Sequence, residues 1–281
     1  MRWIMKRLLT IQDISCVGKC SLTVALPIIS AMGVETVILP TAVLSTHTQF
    51  KGFTFRDLTG DMNPITDHWK NENIDFDMIY TGYLGSFEQI DIVSNIFKDF
   101  KKADNTIFVD PAMGDNGKLY TGFTPEFALA MGKLCGQADI IVPNMTEAAF
   151  MLGIPYRDSY TREYAEDVLK RLAELGAKKT VLTGADITNG QTGIMGYDSE
   201  KNEFFEYFHE KLPVSFHGTG DIYSSTAAGA LMNGFGIKES LSIAADYTVD
   251  CIRASMADKN VRWYGVNFEE AIPALIRRLG K

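Results

Sequence analysis

The chain has 281 residues, which is enough to bury a sizeable core within one large α/β domain. A hydrophobic content of 46% and a charged content of 22% are ordinary for a soluble globular protein. The formal net charge of −8 argues against a general nucleic-acid surface, because no cluster of Lys and Arg offsets it. An acidic chain that binds phosphate must therefore use local groups, such as backbone amides, a metal ion and a few cations.

The cysteines and the N-terminus indicate the compartment. Cys16, Cys20, Cys135 and Cys251 are scattered, and no second Cys or His pair completes a zinc set near the first two. We therefore expect reduced thiols. The N-terminal residues hold only short apolar runs and no small-residue cleavage site, so neither a signal peptide nor a membrane span is expected. The prediction is a soluble, cytoplasmic protein.

The first part of the chain begins an alternation of strands and helices. Residues 8–11 are predicted to form a strand, residues 21–32 a helix that Gly33 closes, and residues 34–39 a second strand. Residues 41–55 are polar and aromatic and lack a helical period. We interpret them either as a lid or substrate loop, or as a loop whose aromatic rings cap the core.

The alternation then continues to the end of the chain. Further strands are predicted over short apolar runs, at residues 78–81, 106–109, 140–142 and 180–182. Helices are predicted where apolar residues recur at helical spacing, at residues 87–100, 162–175, 238–256 and 268–279, and from residue 146 onward. A hairpin is expected over 192–197 and 203–208. This order predicts one domain over residues 1–281, with a mostly parallel sheet covered by helices on both faces.

Polar residues gather where the predicted strands end. The residues that share this position are Asp13, Tyr83, Asp110, Asn144, Glu147 and Thr183. In open parallel sheets, ligands bind outside the carboxyl ends of the strands. Each residue alone is explained as a cap or turn residue, but capping does not require all of them on one edge. The sequence therefore predicts a ligand site along this edge.

The most informative stretch is residues 216–234, which read FHGTGDIYSSTAAGALMNG. Gly218 and Gly220 precede Asp221, and the small residues that follow predict a helix packed closely against its neighbours. Glycines before a helix N-terminus leave backbone N–H groups free to face an anion, and the helix dipole adds to the attraction. The Asp221 carboxylate could accept a proton from an attacking hydroxyl. The competing interpretation is a plain glycine turn with an N-capping aspartate, which is common.

A second polar, glycine-rich segment, residues 110–120, reads DPAMGDNGKLY and carries Asp110 and Asp115. Such a loop can hold hydrated Mg²⁺, which takes one or two carboxylates, several waters and substrate phosphates. Asn144 and Glu147 could contact those waters. The alternative is a structural Asx turn at Asp115, Asn116 and Gly117.

Other chemistries fit less well. Gly18-Lys19 lacks the upstream glycine and the following Ser or Thr of a Walker A site. We find no nucleophile elbow, no H-E-x-x-H pair and no dinucleotide-binding glycine fingerprint after the first strand. The 4 histidines are too dispersed for a metal cage, and His68 and His209 are expected at the surface.

Several motifs together resemble the pyridoxal kinase branch of the ribokinase-like superfamily, over most of the chain. GTGD at 218–221 resembles the superfamily's anion hole and catalytic base, and DPAMGDNGKLY resembles a block shared by pyridoxal and hydroxymethylpyrimidine kinases. PNMTEA at 143–148 resembles their P-N-x-x-E-A block. IQDIS at 11–15, STHT at 45–48 and TGY at 81–83 favour the vitamin B6 branch. The implied fold is ribokinase-like, with a small β-hairpin before GTGD.

The resemblance implies transfer of the γ-phosphoryl group of ATP to the 5′-hydroxyl of pyridoxal, pyridoxine or pyridoxamine. Asp221 would be the base, and the amides of Gly218, Thr219 and Gly220 would hold the developing negative charge. The residues implied for Mg²⁺ are Asp110, Asp115 and Glu147. Those implied for the phosphates and the nucleotide also include Tyr120, Asn144, Thr183, Gly184 and Asp186. Those implied around the pyridine ring are Asp13, His47, Thr48 and Tyr83.

The resemblance also implies a monovalent cation such as K⁺ near the phosphates, and a homodimer. The partners of the protein would be the vitamer and ATP, and neither a nucleic acid nor a membrane is expected as a partner. The chain departs from the family at Asp13, where Ser is common, which leaves the preferred vitamer open.

Two alternatives remain at this point. The first is a hydroxymethylpyrimidine kinase, with the same chemistry and a different ring pocket; His47, Thr48 and Tyr83 argue against it. The second is a non-catalytic vitamin B6 carrier or sensor on the same scaffold; the presence of Asp115 and Asp221 argues against that.

Overall fold

The computed structural model describes residues 5–187 and 190–281. In chain order, the strands are β1 Arg7–Ser15, β2 Glu35–Leu44, β3 Phe55–Asp57, β4 Met78–Thr81, β5 Thr106–Val109, β6 Gly114–Asp115, β7 Lys118–Leu119, β8 Ile140–Ile141, β9 Lys179–Ala185, β10 Gln191–Asp198 and β11 Glu203–Glu210. The helices are α1 Leu22–Ala31, α2 Thr59–Asn71, α3 Phe87–Phe100, α4 Pro125–Cys135, α5 Met145–Leu152, α6 Arg162–Glu174, α7 Thr219–Met232, α8 Ile237–Ala257 and α9 Phe268–Arg278. They fall into two compact units: the first comprises residues 1–80 and 212–281, and the second residues 81–211.

In the first unit, β1 and β2 form a parallel pair, and β3 pairs antiparallel with β2. Strand β1 is buried along almost its whole length, which explains the apolar run at its start. Its register with β2 shifts between Gln12 and Ile14, so Asp13 lies at an irregularity in the pairing. Such breaks redirect side chains and are frequent beside active sites.

Helices α1, α7, α8 and α9 contribute to one hydrophobic core in the first unit. Helix α7 is buried from Ile222 to Ala230. A Cβ atom on Gly229 would lie 2.4 Å from Sδ of Met32, at the end of α1. A side chain at Gly229 would therefore force Met32 to move, so the small residue there lets α1 and α7 approach closely. The predicted close packing of this helix is confirmed.

In the second unit, β5 pairs with β8 and β8 with β9, all in parallel. The hairpin of β10 and β11 continues this sheet in antiparallel orientation, as the sequence predicts. Each of the helices α3, α4, α5 and α6 begins after a capping side chain that accepts the backbone N–H three residues later. The capping residues are Ser86, Thr124, Asn144 and Thr161.

The predicted α/β fold, with a mostly parallel central sheet flanked by helices, is confirmed. The sequence underestimated the lengths of β1, β2 and β9 and did not predict α2 or α4. Residues 114–119 form the short β6–β7 hairpin within segment 110–120, where a loop was expected. The prediction of one domain over the whole chain stays a prediction.

Among the helices formed by residues 5–187 and 190–281, none has both the length and the hydrophobicity needed to cross a membrane.

Candidate active site

The glycine turn at the start of α7 has a conformation that requires glycine. Gly218 is the N-cap residue and has a left-handed backbone, with φ of 85°. An added Cβ would also lie 2.2 Å from the Lys19 carbonyl oxygen. Both backbone strain and direct collision therefore exclude a side chain at Gly218.

Gly220 differs from Gly218, because no contact within the fold requires a glycine at this position. It lies in the first turn of α7, it is exposed, and an added Cβ would have no neighbour within 4 Å. Glycine in a helix costs roughly 0.5–1 kcal/mol relative to alanine. A glycine that folding does not require, at a helix N-terminus, suits the close approach of a ligand to the backbone. Asp221 follows in the same turn, partly buried.

Asp13 has a buried side chain within β1, with 5% exposure. Its two carboxylate oxygens accept hydrogen bonds from the hydroxyls of Ser21, at 2.6 Å, and Ser15, at 3.0 Å. Burial raises the pKa of Asp13 above its usual value, against the opposing effect of these hydrogen bonds and of His47. The structure therefore places Asp13 in the body of the strand, where the sequence had placed it at the strand end.

His47 is buried and has both ring nitrogens engaged. Nε2 lies 3.0 Å from the Tyr264 carbonyl oxygen, and Nδ1 lies 3.2 Å from the Gln49 backbone nitrogen. A carbonyl only accepts and a backbone N–H only donates, so Nε2 carries the proton and Nδ1 does not. Burial lowers the pKa of His47, which agrees with a neutral ring. The neighbouring Thr48 is exposed.

His217 lies beside these residues, and the sequence analysis overlooked it. Its ring centroid is 4.3 Å from that of His47, and its Nδ1 lies 3.3 Å from Nε2 of Gln49. Burial and the neighbouring His47 lower the pKa of His217 to about 4. Its position immediately before Gly218 is the one sequence signal that could have identified it.

In the second unit, Asp115 ends β6 in a tight hairpin. Asn116 and Gly117 form the turn with φ of 50° and 73°, the paired positive values typical of an Asn-Gly hairpin turn. Asp115 is exposed, and its carboxylate accepts hydrogen bonds from the backbone and side-chain nitrogens of Asn116, at 2.8 and 3.0 Å. The Gly117 N–H donates to the Thr146 hydroxyl at 2.9 Å. The hairpin is therefore tied to α5.

Asn144 and Glu147 form a capping box at the start of α5. The Asn144 side chain accepts the Glu147 N–H, and one Glu147 oxygen accepts the Asn144 N–H at 2.9 Å. The other oxygen accepts the Met113 N–H at 3.1 Å. Burial, followed by the nearby Asp110 charge, raises the pKa of Glu147 well above its usual range. Asp110 and Glu147, expected to act together, are thus neighbours.

The remaining predicted residues of the second unit lie along its strand ends. Thr183 forms a parallel bridge with Asn144, and its N–H donates to the Pro143 carbonyl at 2.9 Å. Gly184 is exposed and left-handed, with φ of 61°, and the exposed Asp186 accepts a hydrogen bond from Lys211.

Two tyrosines complete the predicted set. The Tyr83 ring lies 5.4 Å from that of Phe123, and Tyr120 is exposed just after β7.

Across residues 5–187 and 190–281, no three His, Cys, Asp or Glu side chains are close enough together to hold a metal ion.

Comparison with known proteins identifies the family. Residues 27–263 match the phosphomethylpyrimidine kinase family. The chain belongs to this family.

Two solved structures resemble this phosphomethylpyrimidine kinase family member along nearly its whole length. A Bacteroides thetaiotaomicron protein, provisionally described as a phosphomethylpyrimidine kinase and crystallised with pyridoxal, is 38% identical, with a TM-score of 0.92 over 97% of this chain and 96% of that one. Pyridoxal kinase from Lactobacillus plantarum is 30% identical, with a TM-score of 0.89 over 98% of both chains.

A provisionally named pyridoxal kinase from Caenorhabditis elegans is 34% identical over 156 residues, which cover 52% of this chain and 46% of that protein. The predicted resemblance to the pyridoxal kinase branch is confirmed by these matches, and so is the prediction that this family member is a kinase-type phosphotransferase.

Proposed function

We propose that this protein transfers the γ-phosphoryl group of ATP to the 5′-hydroxyl of a vitamin B6 vitamer. The observation that carries the proposal is the start of α7, where an exposed glycine without a packing role lies between the strained Gly218 and the Asp221 carboxylate. Support for a pyridine substrate comes from the Bacteroides relative, which was crystallised with pyridoxal.

The residues of the first unit would perform the chemistry. Asp221 accepts the proton of the substrate hydroxyl as that oxygen approaches the γ-phosphorus, and the N–H groups of residues 218–220 stabilise the negative charge on the transferred group. Phosphoryl transfer passes through a loose transition state, so positioning and charge stabilisation provide most of the catalysis. An ionised carboxylate at a helix N-terminus is a weak base, which suffices because little proton transfer has occurred at that stage.

His47 would act on the substrate through its ring and not through its nitrogens. Both nitrogens already bond to backbone groups, so a bound pyridine would meet ring carbon atoms. The neutral state of the ring also avoids repulsion with a protonated pyridine nitrogen. Because the His47 ring is buried and packs against Phe50 and His217, we assign it a role in shaping the pocket and not in stacking on the substrate.

The carboxylates of the second unit fit Mg²⁺ bound mainly through ATP. Mg²⁺ commonly takes one or two carboxylates, several waters and substrate phosphates, so a cluster of three protein ligands is not required. Asp115 is exposed and Asp110 lies beside Glu147. Because both Glu147 oxygens accept backbone N–H groups, we assign direct contact to Asp110 and Asp115 and a positioning role to Glu147. Bound Mg²⁺ would neutralise charge on the phosphates.

A hydroxymethylpyrimidine is the second candidate substrate, because the matching family is described as phosphomethylpyrimidine kinase. Hydroxymethylpyrimidine and the B6 vitamers each present a hydroxymethyl group on a nitrogen heterocycle. Both would use Asp221 as the proton acceptor. Turnover of both alcohols at equal ATP and Mg²⁺ concentrations separates the candidates. We expect the kcat/KM for at least one B6 vitamer to exceed that for hydroxymethylpyrimidine.

The chain offers a closely matched control for the catalytic aspartate. Helices α2 and α7 both begin with Thr-Gly-Asp, which places Asp61 and Asp221 at the same position in the first turn. Asp221→Asn should lower kcat by roughly 100-fold or more, the scale of a general base. Asp61→Asn should leave kcat unchanged. Near-normal turnover by Asp221→Asn would contradict the assignment, and vitamer binding without any turnover by the wild type would favour a carrier or sensor.

A further inference from the structure

Lys19 lies in a short segment, residues 17–21, whose backbone packs directly against the glycine turn. An added Cβ on Gly218 would lie 2.2 Å from the Lys19 carbonyl oxygen and 3.9 Å from Cα of Cys20. The contact is between two backbones, so no side chain can yield to absorb a shift. The position of residues 17–21 therefore determines where the backbone of the glycine turn lies.

The segment itself has an unfavourable backbone. Lys19 and Ser21 have φ of 52° and 50°, a region that residues with a side chain seldom adopt. Such conformations persist only where the surrounding structure holds them in place, and they are concentrated at functional sites. The segment therefore needs an anchor.

Packing confines the segment on two sides. A Cβ on Gly18 would lie 2.5 Å from Cδ2 of His47, and a Cβ on Gly265 would lie 2.6 Å from Cβ of Lys19. The His47 N–H also donates to the Val17 carbonyl at 3.1 Å. Residues 17–21 thus lie between the His47 loop and the chain that leads into α9.

The Lys19 side chain supplies the polar anchor. Its ammonium group donates to Oδ1 of Asn267 at 3.1 Å and to Oε2 of Glu269 at 3.0 Å. The Lys19 side chain is 19% exposed, whereas that of Glu269 is 53% exposed. Solvent screens the exposed ion pair, so the contact with Asn267 is the more effective of the two.

Asn267 is itself fixed by the end of α8. Its N–H donates to the Ser255 hydroxyl at 2.7 Å, and its side-chain amide donates to Oδ2 of Asp258 at 2.9 Å. A buried residue with these bonds has little freedom to move. The chain of contacts therefore runs from α8 through Asn267 and Lys19 to Gly218.

We propose that Lys19 is a positioning residue for the glycine turn. Its ammonium group, anchored on Asn267, holds the strained backbone of residues 17–21 against Gly218 and thereby fixes the amides of residues 218–220. The inference rests on the proposed function, since those amides are the groups that would stabilise the transferred phosphoryl. Lys19 acts through the backbone and does not itself touch the reacting atoms.

The first test measures amide hydrogen exchange in the unliganded protein, which requires no activity. Lys19→Met keeps most of the apolar stem and removes the ammonium group. We expect exchange of the Ile222 N–H, which closes the first turn of α7 by donating to the Gly218 carbonyl at 3.1 Å, to rise by about tenfold or more, with no change across β9 in the second unit. Lys19→Arg should restore most of the protection, and Lys238→Met, at an exposed lysine of α8, should change nothing.

The second test compares kcat with KM. In Lys19→Met, kcat should fall by roughly 10- to 100-fold, less than the roughly 100- to 1000-fold that removal of a donor to a developing charge costs, because the donors are displaced but kept. The KM for the vitamer should change far less, because the residues assigned to its ring are intact. Glu269→Gln, which keeps the contact between Lys19 and Asn267, should retain most of the wild-type kcat.

Wild-type protection of the Ile222 N–H in Lys19→Met would overturn the proposal, and so would an equal loss of protection throughout the first unit. If Lys19→Met does not fold, Lys19→Gln keeps a hydrogen-bond donor and should give the same order of effects at smaller size. A wild-type protein without kinase activity would overturn the proposed function alone, because the exchange pattern still decides the role of Lys19.

Discussion

At the scale of single residues, Asp13 combines burial with a nearly complete set of hydrogen bonds. Its carboxylate accepts from Ser15 and Ser21, and Ser21 is the residue that precedes α1. Ser21 has the position of a helix N-cap, yet its side chain caps nothing in α1, because its hydroxyl donates to Asp13. The Asp13 carboxylate therefore engages two local hydroxyls, those of Ser15 and Ser21. A substrate would compete with them for this carboxylate.

The ratio of kcat/KM values between the vitamers tests whether the Asp13 side chain contacts the substrate. An ionised Asp13 that contacts substrate favours a donor such as the amine of pyridoxamine, worth about 1.5–3 kcal/mol or one to two decades. We expect pyridoxamine or pyridoxine to be used at least as well as pyridoxal, and Asp13→Ser to shift the kcat/KM ratio towards pyridoxal. Ser15→Ala, which removes one partner and keeps the carboxylate, should preserve the wild-type ratio. Equal changes for all three vitamers would mean that Asp13 only stabilises β1 and α1.

His217 makes stability depend on pH in a predictable direction. The folded state keeps this histidine neutral down to about pH 4, whereas the unfolded chain takes up a proton below 6.5. The unfolded state therefore gains a proton before the folded state as the pH falls. The contribution of neutral His217 to the free energy of unfolding is complete above pH 6.5 and is lost between pH 6.5 and 4. Between pH 7.5 and 5 the loss from this residue is about 2 kcal/mol.

Urea unfolding at pH 7.5 and pH 5 measures this effect. His217→Gln cannot be protonated, so its free energy of unfolding should fall by about 2 kcal/mol less than that of the wild type over this interval. His68→Gln, at an exposed histidine, should follow the wild type. A pH dependence identical in His217→Gln and the wild type would show that His217 is protonated equally in both states.

At the scale of elements, α2 and α7 show what a short motif leaves undetermined. Both helices begin with Thr-Gly-Asp, but α2 follows Leu58, with φ of −115°, and α7 follows Gly218, with φ of 85°. Only α7 continues into a run of buried small residues. The residue before the motif and the packing after it therefore distinguish the candidate site from an ordinary helix start.

The β6–β7 hairpin presents Asp115 for metal binding. We expect activity to require a divalent cation, and Asp115→Ala to raise the Mg²⁺ concentration for half-maximal rate by roughly tenfold or more. Asp115→Asn keeps an oxygen that can accept the Asn116 N–H and loses only the charge, so it should show a similar shift with the turn intact. Asp104→Ala, at an exposed turn of the same unit, is the control. Full activity in excess chelator would refute the metal requirement.

The capping box of α5 predicts a stability effect distinct from catalysis. Glu147→Ala removes acceptors from the N–H groups of Met113 and Asn144 in a buried setting. The free energy of unfolding should fall by about 2–5 kcal/mol, from the lost cap and two unsatisfied donors. Glu163→Ala, in the exposed first turn of α6, should leave the free energy of unfolding nearly unchanged. An equally small change in Glu147→Ala would mean that water replaces both hydrogen bonds.

At the scale of the whole molecule, the candidate residues divide between the two compact units. The first unit carries the glycine turn, Asp13 and His47, and the second carries residues 110–120, 143–148 and 183–186. The proton-accepting and anion-stabilising groups thus belong to one set of elements, and the expected nucleotide and metal groups to another. The homodimer and the monovalent cation expected from the resemblance stay predictions.

The sequence alone determined the family, the alternation of strands and helices, and the residues of the glycine turn. These features are local: glycine permits a positive φ, apolar spacing reveals a buried helix face, and polar residues mark the ends of strands. The DPAMGDNGKLY and PNMTEA blocks were found for the same reason. Even the Asx-turn alternative at residues 115–117 anticipated a tight turn there.

Only the tertiary structure decided how those residues are held. The carbonyl of Lys19 excludes a side chain from Gly218, Tyr264 and Gln49 fix the tautomer of His47, and His217 packs against His47. Apart from Gln49, which is two residues from His47, these partners lie far apart in sequence, and no local propensity or periodicity encodes a contact between distant segments. The pairing of Asp13 with Ser21 depends likewise on how β1 meets the start of α1. The sequence thus identifies the candidate residues. Long-range packing determines the tautomer of His47, the need for glycine at position 218 and the contacts that hold the site residues in place.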